Sequence, residues 1–152
     1  MTRISGALSE TELRDYLEAA TIPVRLACHT PAGRLWIVSL WFSYRDGTLS
    51  CATGAGATLV EYLRVNDDVA FEVSENDPPY RGVRGAGTAT LRPDEGKALL
   101  RELVERYLGG TDSTLARRLL DPDRAEVRID VDPDRMYTWD YSQRMADAID
   151  SS

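Results

Sequence analysis

The 152-residue sequence predicts an α+β chain in which an antiparallel sheet closes into a barrel and helices pack on its flanks. Short β-rich segments follow one another through tight turns. A single short helix interrupts them between Val24 and Leu91, and amphipathic helices appear only before and after that block.

The chain opens with a helix signal. Ser9 and Glu12 have the spacing of a capping box, and Leu13, Tyr16 and Leu17 form a helical apolar stripe. Pro23 ends the connection, and the strands VRLACHT and LWIVSLWFSY follow. In the second of these both alternating sets are apolar: Trp36, Val38, Leu40 and Phe42 on one face, Leu35, Ile37 and Trp41 on the other. Such a strand is expected to be covered on both sides, by the barrel interior and by a helix or a second subunit.

An Asp46-Gly47 turn leads into TLSCAT, and the small residues Gly54, Ala55, Gly56 and Ala57 open the helix ATLVEYLRVN. A hairpin follows, made of VAFEVSE, an exposed NDPPYR loop and GVRGAGTATL. Glycines within that last strand mark bends or close backbone approach. Beyond Leu91, Pro93 suits a first helical position, and Leu99, Leu100, Leu103, Val104, Tyr107 and Leu108 form an amphipathic stripe that Gly109-Gly110 stops. A shorter helix spans about Asp112 to Leu120. Two strands, AEVRIDV and RMYTWDYS, close the pattern with an Asp-Pro-Asp turn between them, and residues 144–152 read as a flexible tail. Residues 1–152 are expected to form a single domain.

Composition excludes several functions. The chain carries a net charge of −7, and Lys97 is its only lysine. No basic stripe is present to neutralise a phosphate backbone, which argues against nucleic-acid binding. No apolar run is long enough to span a membrane, and the N-terminus lacks the apolar core of a secretory signal, so a cytoplasmic protein is expected. Cys28 and Cys51 are too few for a disulfide framework. His29 is the only histidine and no GxSxG occurs, which leaves no serine-hydrolase triad. Cys28 and His29 point to opposite faces of their strand, and the Asp130, Asp132, Asp134 spacing lacks the glycine and glutamate of a calcium loop; no metal site is expected.

The corner after TLSCAT is the one segment with ligand chemistry. Gly54-Ala55-Gly56 lacks the third glycine of a dinucleotide fingerprint, since Leu59 holds that position. What remains is a helix N-terminus behind small residues, where free N–H groups can hold an anion, or alternatively a tight turn that needs glycine for its own geometry.

The succession of strands, corner and helix between Val24 and Leu91 resembles the pyridoxamine-phosphate-oxidase-like family of flavin-binding split barrels, and the likeness extends from about Leu13 to Tyr141. The resemblance implies an antiparallel split barrel of the FMN-binding type. It also implies a homodimer, since cofactors of this family lie between subunits. Members place a threonine, small or polar residues, a serine and then a lysine or arginine at this corner, and these contact the flavin phosphate. Here Thr53 matches the threonine, Ala57 replaces the serine, and Thr58 and Leu59 stand where the basic residue is expected.

By that resemblance the cofactor would meet the backbone of Val38, Ser39, Leu40 and Trp41 along its ring. Its phosphate would meet Ala52, Thr53, Gly56 and Thr58, and Tyr80 and Arg81 would reach it from the NDPPYR loop. Arg25, or else Arg64, Arg81 or Arg84, would replace the missing cation, with Arg25 the first choice. The expected cofactor is FMN, with a deazaflavin or haem as alternatives, or none at all. The leading function is a flavin- or deazaflavin-dependent oxidoreductase with an unknown small-molecule substrate. The alternatives are a non-catalytic protein that stores or senses flavin or haem, and a barrel dimer without cofactor. No residue is singled out as catalytic.

Overall fold

A computed structural model describes residues 2–146. Its elements in chain order are β1 (Arg3–Gly6), α1 (Glu10–Ala19), β2 (Val24–His29), β3 (Leu35–Leu40), β4 (Ser43–Arg45), β5 (Thr48–Gly54) and α2 (Thr58–Val65). Then come β6 (Asp68–Ser74), β7 (Arg81–Pro93), α3 (Ala98–Leu108), α4 (Thr114–Leu119) and β8 (Glu126–Asp140). The eight strands form one sheet in the order β3-β2-β6-β7-β8-β5-β4, with β1 pairing β8. Every pairing is antiparallel except β1 with β8. This is the expected split barrel.

The split lies where the sequence reads as one continuous strand. LWIVSLWFSY is broken at Trp41-Phe42, so that β3 and β4 become the two ends of the sheet. The chain itself crosses the seam there, and no ladder does. Phe42 turns fully inward and anchors the crossing. Helix α3 holds it from outside: the Tyr107 hydroxyl donates to the Ile22 carbonyl (2.9 Å) and accepts from the Phe42 N–H (3.2 Å). The Arg106 guanidinium donates to the carbonyls of Leu17 (3.0 Å), Glu18 (2.8 Å) and Ala20. These carbonyls lie at the C-terminal end of α1, where helical acceptors run out of partners.

The interior is filled by alternating strand residues, among them Leu26, Leu49, Ile129 and Val131, and closed by Leu13 and Leu17 of α1 and by Leu59 and Leu63 of α2. A second small cluster, Leu100, Val104 and Ala116, lies under α3 and α4.

Several expectations are corrected. The Asp-Pro-Asp turn does not exist: β8 runs unbroken past Pro133 beside the long β7. A register shift between Ala86 and Gly87 makes Asp134 an extra residue, and this bulge accommodates a proline that has no N–H for the ladder. Gly87 is required opposite it, because a Cβ there would lie 2.2 Å from the Asp132 carbonyl oxygen. Pro93 ends β7 and does not start a helix. Asp94 caps α3 in its place, its two carboxylate oxygens accepting from the N–H groups of Leu99 (3.0 Å) and Leu100 (2.9 Å). The N-terminal segment, to which the sequence reading assigns no element, contributes β1. The single chain leaves Leu35 77%, Trp36 49% and Ile37 65% exposed on β3, where cover by a helix or a second subunit is expected. No helix among the described residues is long and apolar enough to cross a membrane.

Candidate functional site

The small-residue corner is built by β5 delivering the chain to α2. The Ala55 N–H donates to the Ala125 carbonyl (2.9 Å), the Ala57 N–H to Gly54 (3.0 Å) and the Val60 N–H to Ala57 (3.0 Å). Among the described residues the N–H groups of Gly56, Thr58 and Leu59 have no acceptor. Ala57 is the N-cap and offers no side-chain oxygen to them. The α2 terminus therefore presents unused donors and the positive end of its dipole at the surface. Thr58 is exposed there, whereas Leu59 is buried in the core, so of these two positions only Thr58 faces a ligand at the corner.

A cation does reach this corner, from a direction the sequence does not indicate. Gly54 pairs with Glu126 across the β5–β8 ladder. Arg124, on the turn that enters β8, places its Nη2 4.0 Å from where a Cβ of Gly54 would stand. Its Nε lies 3.4 Å from Glu126 Oε1, and the Glu126 side chain is only 2% exposed. That oxygen makes no hydrogen bond. The buried carboxylate holds one edge of the guanidinium, which leaves the Nη nitrogens beside Gly54. Lys97 also donates to the Arg124 carbonyl, tying the turn to the start of α3.

The segment Val38, Ser39, Leu40 and Trp41 runs up to the seam. Trp41 stacks on Tyr107, with centroids 5.2 Å apart and an interplanar angle of 7°, and packs with Ala52 against the α3–α4 cluster. Val38 and Leu40 are half-buried against the main core, and Ser39 is exposed. Within one chain the fold thus gathers Trp41, Ala52, Thr53, Gly56 and Thr58 at one end of the barrel.

It does not gather the remaining expected residues there. Arg25 projects from the outer face of β2, opposite Ser39 and Glu72, while its neighbour Leu26 points inward and shares the core with Leu59 and Leu63 of α2. Arg25 and α2 therefore lie on opposite faces of the same strand. Tyr80 immediately precedes β7, which begins at Arg81 paired with Asp140; the other end of β7 reaches Val127, the partner of Thr53. Twelve residues of strand place them roughly 40 Å apart along the ribbon. Arg81 is engaged locally, 3.5 Å from Glu75 and 4.8 Å above the Tyr16 ring. Tyr16 donates to the Arg81 carbonyl (3.2 Å), and its own pKa is pushed up to about 12, by burial first and by Glu75 second, with Arg81 opposing.

A sequence profile described as pyridoxamine 5'-phosphate oxidase matches residues 9–138 of the chain. The chain belongs to that family. Several solved structures share its fold. A conserved hypothetical protein from Mycobacterium tuberculosis is 22% identical with a TM-score of 0.74, covering 91% of this chain and 88% of its own. An F420 reductase is 24% identical with a TM-score of 0.67, covering 80% of this chain and 94% of its own. A FAD-binding protein from Mesorhizobium loti is 25% identical with a TM-score of 0.56, covering 82% and 90%. No curated protein matches the sequence significantly.

At the first turn of α2, where the resemblance implies a cation, Thr58 and Leu59 offer no charge. Arg124 is the residue that sequence reasoning missed. It lies seventy positions after Gly54, and only the β5–β8 ladder brings the two together. No local pattern in the sequence signals it.

Proposed function

We propose that the protein is an oxidoreductase that holds a flavin or deazaflavin by its phosphate at the corner between β5 and α2. The observation that carries this reading is the combination of unused amides at Gly56, Thr58 and Leu59 with the Arg124 guanidinium beside Gly54. Amide donors and a guanidinium are the two groups that best recognise a phosphate dianion. Glu126 acts as a positioning residue that fixes the orientation of Arg124, and Thr53 supplies a hydroxyl next to the corner. A bound flavin supplies hydride or electron transfer, and the protein supplies orientation and electrostatics. The F420 reductase and the FAD-binding protein among its structural relatives support a flavin-type ligand.

The site is completed in a homodimer. Leu35 and Ile37 on the edge strand β3, and Tyr137 on the same face of β8, are exposed apolar side chains that a second copy would cover. The partner's loop would then be the source of Tyr80 and Arg81, which one chain keeps away from its own corner.

The test is titration of the purified dimer with FMN, riboflavin, coenzyme F420 and haemin, followed by anaerobic reduction. The reading expects FMN or F420 to bind, riboflavin to bind more weakly than FMN, and the bound ligand to be reduced by a nicotinamide. Tight binding of haemin alone, or of none of the four, rejects it.

A further inference from the structure

A polar cleft of about 560 Å³ lies on the outer face of the sheet where α3 begins. It is on the far side of the β7–β8 bulge from Tyr137, and it includes no residue of the corner or of the dimer surface. The ladders explain its lining. Ser43, Ser50, Asp130 and Thr90 stand side by side across β4, β5, β8 and β7. Two residues along, on the same face, Arg128 pairs with Arg92. These side chains point outward because their neighbours Leu49, Ile129, Val131 and Ala89 fill the interior.

Asp130 organises a positive end. It is 8% exposed, and it holds two guanidiniums at once. Arg92 Nε lies 2.9 Å from one carboxylate oxygen, and Arg128 donates to the other from Nε at 3.2 Å and Nη2 at 3.0 Å. One carboxylate balances only one of these two cations. The Nη groups of Arg92 and Nη1 of Arg128 are left to face the cleft.

The opposite end is negative. Asp132 lies two residues farther along β8, roughly 7 Å away, and Asp46 lies on the turn between β4 and β5. Among the described residues neither makes an ion pair. Arg45 lines this end too, but Glu102 of α3 engages it. Ser43 lines the cleft between the two ends. It is 8% exposed, and among the described residues its hydroxyl has no hydrogen-bond partner. Hydroxyls so deeply placed are ordinarily paired.

We propose that this cleft binds a small zwitterion of dipeptide length, its carboxylate on Arg92 and Arg128 and its ammonium on Asp132 and Asp46. An extended dipeptide separates these charges by roughly 6–7 Å, one Cα–Cα step plus a bond at each end, which matches the spacing in the cleft. Its central amide lies over the row of hydroxyls, within reach of Ser43 and Thr90. Charge argues against other ligands. Three arginines line the cleft against four carboxylates, so a phosphate ester would add to an excess of negative charge. A diamine would leave the guanidiniums without partners. The volume lies within the range of small-molecule sites.

The test titrates the isotope-labelled protein with glycylglycine and follows its backbone amide NMR shifts. Glycine, triglycine, N-acetylglycylglycine and glycylglycinamide are the controls. The expected result is saturable binding at millimolar concentration, with shifts at Thr90 to Arg92 and Arg128 to Asp132. Glycine and triglycine should bind more weakly, since their charges are too close or too far apart. Each capped peptide should bind about tenfold more weakly, the loss of one charge-assisted contact. Asp132→Asn should bring glycylglycine down to the level of its acetylated form, and Arg92→Gln down to that of its amide. A variant that merely misfolds would lose all the peptides alike. Binding should also fall with rising salt. Absence of saturable binding, equal binding of the capped peptides, or shifts confined to Gly56 to Leu59 at the corner overturns the proposal. These readouts need no flavin, so failure of the flavin reading and failure of this one remain distinct.

Discussion

Arg124 sits over Gly54, its Nη2 4.0 Å from the point where any side chain at position 54 would begin. The guanidinium lies within ordinary van der Waals reach of that point, and Glu126 beside it is too deeply buried to serve as a surface partner for anything else. Taken together, the two residues return to the corner the positive charge that Thr58 and Leu59 do not supply.

Arg124→Ala should therefore weaken FMN binding about tenfold, the equivalent of one charge-assisted contact of about 1.5 kcal/mol. Riboflavin, which has no phosphate, should bind the variant and the wild type alike. Isothermal titration of both ligands checks this. An equal loss for riboflavin would make Arg124 a structural residue of the turn.

The dimer reading makes Ile37→Glu a disruptive change even though the residue is exposed in the single chain. A buried, unpaired carboxylate at the interface costs several kcal/mol, enough to shift a micromolar sample to monomer. Light scattering should show half the wild-type mass with unchanged circular dichroism.

Arg106→Ala should lower stability by about 2 kcal/mol, since it leaves carbonyls at the end of α1 without their charged donor and loosens α3 from the seam. Urea denaturation reads this directly. Arg106→Lys, a point charge without the planar fork, should recover only part of it.

The Asp130 carboxyl supplies a pH dependence. Burial alone would raise its pKa, but hydrogen bonds from Ser50 (2.6 Å), Arg128 (3.0 Å) and Arg92 (2.9 Å) outweigh burial and hold it below the usual range. A pKa depressed by folding contributes stability that is complete above the unfolded value, about 4, and is lost as pH falls through the folded value. Asp130→Asn should thus cost about 1–3 kcal/mol near neutral pH and progressively less below pH 4 or so. Denaturation of both proteins across that range checks the sign, and a gap that widens in acid would contradict it.

The sequence by itself determined the elements whose causes are local. The Ser9–Glu12 capping box forms as its spacing requires, with the Ser9 side chain accepting from the Glu12 N–H (3.1 Å). The Asp46-Gly47 turn has both residues at positive φ, and the Leu99–Val104 stripe is buried as its period demands. The order of strands, corner and helix was likewise enough to place the chain in its family.

Tertiary structure decided whatever depends on which strand lies beside which. Trp41-Phe42 became a seam because the two ends of the sheet meet there, although their residues favour a continuing strand. Pro133 stayed inside β8 because Gly87 opposite it leaves room for a bulge. Arg25 was carried to the outer face by the period of its strand, away from α2 and into the row with Glu72 and Arg84, while Arg124 was carried to the corner by the β5–β8 ladder. Local propensity acts over a few residues, whereas these placements were set by register between strand residues more than seventy positions apart, which only the folded sheet fixes.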